Sequence, residues 1–485
     1  MTTTPASYHG DPTAGFPTKH LPPVEVRELP EPPERWSQLI GPGVIAAGVG
    51  IASGEFLLYP YIASQVGLVF IWAALVGLIT QFFINMEIER YTLATGETVL
   101  TGFSRYWRHW GLVFALLTYG ANLWPAWATG SATLVTYLFD GGSANWIAAA
   151  MLVTVALILT LAPVVYVALE RTQMLKVAAV LILFVVAGIF AIGASAWADL
   201  PDGITGVTEA GSVIDELGFA LVLGALAFAG GGGGQNLCQS NWIRDKRFGM
   251  GAHAARLTSP VTGEEEAAPG TGVVFQPDAT NMARWQRWWR FANLEQASTF
   301  VLITFVSIVF TSLLAYATVF GRSDLPEGDI GFLRIEGNVL ADEVGTWFQG
   351  LFWTIGAFSL FAAAVGIVDY TSRLGADVLK TSYLSRSDVS ESKVYFALVW
   401  GLVVLGLLVL TLGFDQPLVL AVIAASVGGF MMFLYSALLI LINRRSLPAP
   451  LRIGVGRTIA LLWSFVLFGV LAGLTFYEQI PTLWD

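Results

Sequence analysis

Two apolar stretches carry groups that hydrocarbon disfavours. "GIASGEFLLYP", residues 50–60, holds one carboxylate, Glu55, and "AFAGGGGGQNLCQ", residues 227–239, holds five consecutive glycines followed by two amides. The candidate binding residues are Ala52, Ser53, Gly54 and Glu55 in the first, and Gly230, Gly231, Gly232, Gly233, Gly234, Gln235 and Asn236 in the second. A carboxylate, amide oxygens, a hydroxyl and carbonyls freed from a helix form an oxygen donor set for a hard cation such as Mg²⁺ or Mn²⁺, with Glu55 and Gln235 as metal ligands. A transition metal would ask for imidazole or sulfur. His9, His20, His109 and His253 all lie outside the apolar stretches, and Cys238 reads as a small buried apolar residue. The same inventory suits an organic cation. Trp124 and Trp127 stand three residues apart, which places them on one face of a helix, and with Glu55 they would make an ammonium site if that face looks inward. Helix ends released by the glycines would also hold a carboxylate on backbone N–H groups, which extends the range to amino acids.

These groups need elements that bring them together inside a membrane. The chain has 485 residues, 55% hydrophobic and 12% charged, with a mean hydropathy of +0.66. Eleven apolar runs, from about 40–64 to about 456–477, are long enough to cross a bilayer as helices. Lysine and arginine mark the cytoplasmic side. With the N-terminus inside, 23 of the 25 basic residues fall on inner segments, Arg171 and Lys176 among them, leaving Arg322 and Arg334 outside. Eleven spans, N-terminus inside and C-terminus outside, in the cytoplasmic membrane, is the expected topology. Residues 1–37, rich in Pro and Glu, read as a disordered cytoplasmic tail ahead of a transporter domain over 38–485. Residues 244–293 read as a cytoplasmic linker whose end, "ARWQRWWRF", has the Arg/Trp mixture of an interfacial helix. No nucleophile–base pair or closed metal site points to an enzyme, nothing calls for a cofactor, and the expected partners are a small cationic substrate, protons and the lipid bilayer, with no nucleic acid.

Glycine costs about 1 kcal/mol per residue against alanine in a helix, so Gly230 to Gly234 argue for a break in the sixth span. "GIASGEF" argues for one in the first. Five spans separate the two, the pointer to a five-plus-five inverted repeat with its site at the midplane. Glu55 lies mid-span, where a charge costs roughly 2.5–3.5 kcal/mol on insertion scales, and a functional role is the default there.

The sequence resembles the Nramp divalent-metal transporters over nearly all of residues 38–445. The resemblance rests on "GPGVIAAGVGIASGE", "ERYTLATGETVLTGFSR", "LERTQMLKVAAVLI", the Gln-Asn-Leu of the sixth span and "NRRSLP". It implies an all-α membrane protein of LeuT-type fold, helices 1 and 6 unwound at mid-membrane, working by alternating access. The family's Asp-Pro-Gly-Asn falls on Ala52, Ser53, Gly54 and Glu55, its Met-Pro-His-Asn on Gly233, Gly234, Gln235 and Asn236, and its third-span acids on Asn122 and Pro125, so its metal ligands are not carried over. Asp369, one turn before Arg373, reads as an ion pair within its helix or as a gate or coupling residue. Glu87, with Glu89 and Arg90, reads as part of an inner gate or interface network. The expectation is a secondary transporter importing a divalent cation, with a small organic cation or amino acid as the alternative cargo and a transport-inactive sensor as a third reading.

Overall fold

The computed structural model describes residues 10–35, 38, 40–259, 261–263, 272–326, 330–413 and 417–479. Helices dominate because a bilayer leaves backbone N–H and C=O groups no partners except each other. In chain order they are α1 (Pro42–Gly50), α2 (Tyr59–Val66), α3 (Ile71–Thr95), α4 (Val99–Tyr106), α5 (Trp110–Ala121), α6 (Ala126–Leu138), α7 (Ala144–Leu161), α8 (Val165–Phe190), α9 (Ala194–Thr205), α10 (Ala210–Ala227), α11 (Gly234–Asp245), α12 (Ala279–Glu295), α13 (Leu302–Thr318), α14 (Phe332–Glu343), α15 (Thr346–Val378), α16 (Glu391–Thr411), α17 (Pro417–Arg445) and α18 (Val455–Gln479). Among the described residues, eight helical runs are long and apolar enough to cross a membrane, and one of them, Pro42–Thr95, joins α1, α2 and α3. The long helix α15 is the spine: it packs on α6, α16, α8, α5 and α11.

The third expected span, about 111–138, is not one helix. It breaks between α5 and α6 because Pro125 cannot donate an N–H and restrains the residue before it. Asn122 takes up the slack, its Nδ2 donating to the Thr118 carbonyl (2.9 Å) and to Thr371 Oγ1 (3.0 Å). Trp124 therefore lies in the turn and Trp127 in α6, and they do not share a face of one helix as the spacing suggests. Lys176, counted among the inner-segment charges, has its side chain fully buried within the bundle in α8.

The expectation of a disordered tail fails for residues 10–35, while residues 1–9 lie outside the described residues. Phe16, Leu21 and Leu29 are buried, and β1 (Glu25–Val26) pairs in parallel with β2 (Val273–Val274) from the 244–293 segment. Proline-rich chain lacks donors but keeps its carbonyls, and basic and indole groups collect them. Arg105 donates to the Pro17 (3.1 Å) and Pro22 (2.9 Å) carbonyls. Arg284 and Trp288 of α12 donate to the Leu29 (2.9 Å) and Pro30 (2.8 Å) carbonyls. The Arg/Trp helix α12 is thus engaged with protein along one face: Trp285 and Trp288 are buried, and Trp289 stacks under Arg90 and Arg457.

Arg105 is the pin of this layer, since it also pairs with the buried Glu97, which accepts from Tyr91 Oη (2.7 Å). Removing one partner of a buried pair strands the other. Arg105→Ala is expected to cost about 3–5 kcal/mol, read as a fall in melting temperature in detergent, and to open residues 10–35 to limited proteolysis.

Candidate functional site

Helix α1 ends at Gly50, where the Ile51 N–H still reaches Ala47 O (2.9 Å), and the chain turns at Ala52 (φ −150°, ψ −95°) into a π-helical turn over Ser53–Leu58 that carries Glu55. Helix α10 ends at Ala227 and α11 starts at Gly234. Between them Gly231 (φ +100°) and Gly233 (φ +68°) take left-handed backbone that a side chain would strain. The two breaks touch: a Cβ on Gly54 would collide with the Phe228 carbonyl.

Each carbonyl freed at the breaks needs a donor from elsewhere in the fold. Lys176 Nζ of α8 donates to Gly48 O (2.6 Å), and Ser359 Oγ of α15 donates to Ile51 O (2.8 Å). Tyr59 Oη donates to Ala225 O (3.0 Å), and Gln81 Nε2 of α3 donates to Ala227 O (2.9 Å). Gln235 Nε2 joins the two sides, donating to Ala46 O (2.7 Å) and Gly230 O (3.2 Å). At the other end of α1, Glu295 Oε1 accepts from the Gly41 (3.2 Å) and Gly43 (2.8 Å) N–H groups, a carboxylate at the positive end of the helix dipole.

A small cavity of about 30 Å³ lies beside the breaks. Its lining includes Gly54, Asn122, Trp124, Trp127, Gly231, Gly232 and Gln235 of the expected residues, and adds Phe228 and Tyr370, whose Oη donates to Asn122 Oδ1 (3.3 Å). The Trp127 indole N–H is buried and has no hydrogen-bond partner among the described residues. Other expected residues lie elsewhere. Asn236 faces α3 and α17, donating to Asn85 Oδ1 (2.7 Å) and accepting from Tyr435 Oη (3.3 Å). Ala52, Gly230, Gly233 and Gly234 shape the breaks without lining the cavity, and the Ser53 side chain lies outside the described residues. Glu55 is fully buried behind the lining, its carboxylate turned toward the backbone of Ala52, Gly230 and Glu55 itself. Lys176 and Tyr370 were not singled out from the sequence. Lys176 stands in the apolar run "MLKVAAVLI", and a basic residue there is a signal in itself.

Asp369 and Glu87 stand apart from the cavity, in buried ion-pair networks. Arg373 pairs with Asp369 (2.9 Å) and with Asp245 of α11, while Asp369 also accepts from Tyr395 Oη (2.8 Å). Arg244 pairs with Asp377 (3.1 Å), which accepts from Thr98 Oγ1 (2.6 Å). Glu87 holds Arg90 (2.7 Å) and Arg457 (3.3 Å). Among the described residues no three His, Cys, Asp or Glu side chains converge in a way that would hold a metal ion.

The architecture has counterparts among solved structures. A mutant of the Eremococcus coleocola manganese transporter superposes with a TM-score of 0.67 at 13% identity, over 96% of this chain and 92% of that one. The fold is Nramp-like. The same manganese transporter in complex with an aromatic bis-isothiourea substituted compound gives a TM-score of 0.65 at 12% identity, over 96% of this chain and 92% of that one. MhsT in complex with L-phenylalanine gives 0.55 at 12% identity, over 90% of this chain and 98% of that one, which places the fold with the LeuT-type transporters. No family model and no curated protein matches the chain. With eight helical runs among the described residues long and apolar enough to cross a membrane, the chain is a multi-pass membrane protein, and its fold is that of these transporters.

Gly54→Ala is expected to push the two breaks apart and to lower the melting temperature, at a cost of about 1–3 kcal/mol for an overpacked site. Gly120→Ala in α5, where an added Cβ meets nothing within 4 Å, is the control and should melt at or slightly above wild type.

Proposed function

We propose that this protein is a secondary-active transporter of the cytoplasmic membrane that imports a small amino-bearing organic solute, an amine or amino acid, by alternating access. In this reading the chain spans the membrane eleven times as a five-plus-five inverted repeat, N-terminus inside and C-terminus outside. The breaks after α1 and α10 stand at mid-membrane, and the cargo leaves chemically unchanged. One observation carries the choice of cargo: Trp124 and Trp127 both line the cavity between the breaks, and the Trp127 N–H is left without a partner there. Indole faces attract an ammonium group. A buried donor left unpaired costs about 1–3 kcal/mol, and a cargo carboxylate or carbonyl would recover it. Tyr370, Asn122 and Gln235 add polar atoms to a wall otherwise made of glycine and hydrocarbon, the few convergent polar groups that fix orientation in a small-molecule site. At about 30 Å³ the cavity holds only one or two waters in this conformation, so an organic cargo enters when the walls part.

A divalent cation such as Mn²⁺ or Mg²⁺ is the second reading. The small cavity favours it, as does the likeness of the fold to manganese transporter structures. Against it stands a lining without carboxylate, imidazole or sulfur.

Uptake into proteoliposomes of labelled amines, amino acids and Mn²⁺ separates the two. The expected result is saturable uptake of an organic compound, with Trp127→Ala raising the half-saturating concentration by about tenfold, the equivalent of ~1.4 kcal/mol. Saturable Mn²⁺ uptake that Trp127→Ala leaves untouched and Glu55→Ala abolishes would establish the metal reading instead.

A further inference from the structure

The two helices that meet the breaks continue, beyond the bundle, into segments that pair with each other. Residues 10–35 lead into α1, and the chain leaving α11 runs on to β2 and α12. Glu25 N–H donates to Gly272 O (2.9 Å) and Arg27 N–H to Val274 O (2.8 Å), the two rungs that join β1 to β2. Further along, Leu29 N–H donates to Asn281 Oδ1 (3.2 Å), and the Leu29 and Pro30 carbonyls are held by Arg284 and Trp288 of α12. The same layer is fastened to α4 and α17. Arg105 takes the Pro17 and Pro22 carbonyls and pairs with Glu97, which a Cβ on Gly272 would strike, and a Cβ on Gly15 would strike the Arg445 and Ser446 carbonyls. Leu21, Val24 and Leu29 are buried beneath, whereas Glu25, Val26, Arg27 and Glu28 are exposed. A stretch anchored by so few apolar side chains opens locally without unfolding the bundle. Pro22, Pro23, Pro30, Pro32 and Pro33 restrict the released chain, so docking it again costs less entropy than an ordinary loop would.

We propose that residues 10–35 are a strap that ties the outlying ends of α1 and α11 to each other and to α4, and that it must peel from β2 and α12 before the cavity opens at this end of the bundle. The pivots for such a swing are the breaks themselves. The chain turns at Ala52 after α1, and Gly231 and Gly233, with left-handed backbone, precede α11. A hinge is a few residues of this kind that absorb a change of φ and ψ. With the strap docked, α1 and α11, which also pack on each other, cannot swing apart without breaking the two rungs. In the proposed topology this is the cytoplasmic end, and the strap takes from the transport reading only the purpose of the opening.

Cys238, the single cysteine of the chain, is a built-in reporter. It is fully buried in α11, three residues after the cavity-lining Gln235 and four before Trp242, whose Nε1 donates to Asp369 Oδ2 of α15 (3.4 Å). That spacing sets it on the face of α11 between the cavity and the Asp369–Arg373 pair. The test is the rate at which N-ethylmaleimide alkylates Cys238 in the purified full chain, read by intact mass spectrometry beside limited proteolysis of residues 10–35. It needs no cargo, so a wild type that transports nothing in the uptake assay would sink the transport reading and still leave this measurement decisive. Arg27→Pro, which removes the donor of one rung from an exposed position, should let protease cut within 10–35 and speed alkylation by about tenfold. Leu29→Asp, which puts a charge on a buried anchor, should do the same by a second route, and Val26→Ser, exposed and on neither rung, should label at the wild-type rate. A cut strap with Cys238 as slow as in wild type would overturn the proposal, and so would a strap that both variants leave resistant to protease. Loosening of the whole fold is read separately: Ala315→Cys in a Cys238→Ala background places the thiol at a buried site of α13, and equal acceleration there would also overturn it.

Discussion

A helix interrupted inside a membrane protein frees carbonyl and amide groups that lipid cannot satisfy, and the rest of this structure is arranged around supplying their partners. Five side chains from five helices do so: Lys176 from α8, Ser359 from α15, Gln81 from α3, Tyr59 from the start of α2 and Gln235 from α11. The breaks are therefore the places where α1 and α10 are stapled to their neighbours. Gln235 staples the breaks to each other through Ala46 O and Gly230 O. The run of glycines follows from the same constraint. Backbone from one break must reach backbone of the other, as Gly54 reaches Phe228, and a methyl group at that contact has nowhere to go.

Charge follows the same logic as the hydrogen bonds. A buried acid needs a positive partner, and Asp369, Asp245 and Glu87 find theirs in Arg373, Arg90 and Arg457. The cavity lining holds no carboxylate, and the buried Trp127 N–H, without a hydrogen-bond partner among the described residues, asks for an acceptor.

Much of this was legible in the sequence. The apolar runs gave the membrane class, the glycine run and "GIASGEF" located the breaks, and the cavity does lie against both. Trp124 and Trp127 were singled out together, although the reason given for it, a shared helix face, is undone by Pro125. Less legible was anything that depends on which way a side chain turns across the bundle. Asn236 and Gln235 are neighbours in sequence, yet one faces α3 and α17 and the other crosses to α1. Lys176 was counted among the inner-segment charges, and its burial inside the bundle was signalled only by the apolar run after it in "LKVAAVLI". The tail misled for a similar reason: proline and glutamate predict disorder only when no donors wait for their carbonyls, and Arg105, Arg284 and Trp288 lie far away in sequence.

The two ends of the bundle are closed by unequal means, and this bears on which way the cavity opens. At the end that carries Arg373, Arg244 and Glu87, the pairs are buried and multiply hydrogen-bonded, linking α11, α15 and α16 and joining α3 to the start of α18. At the other end the pairs Arg322–Asp324 and Arg334–Asp140 are exposed. Exposed pairs are worth about 0–1 kcal/mol each, whereas removing one partner of a buried pair costs several times that. Opening the first end therefore requires α11 and α15 to exchange their partners together, since Arg373 cannot leave Asp245 without stranding it, while the second end can part with little loss. In the proposed transport reading, a cargo shifts such a balance only to the extent that it binds the opposite conformation better.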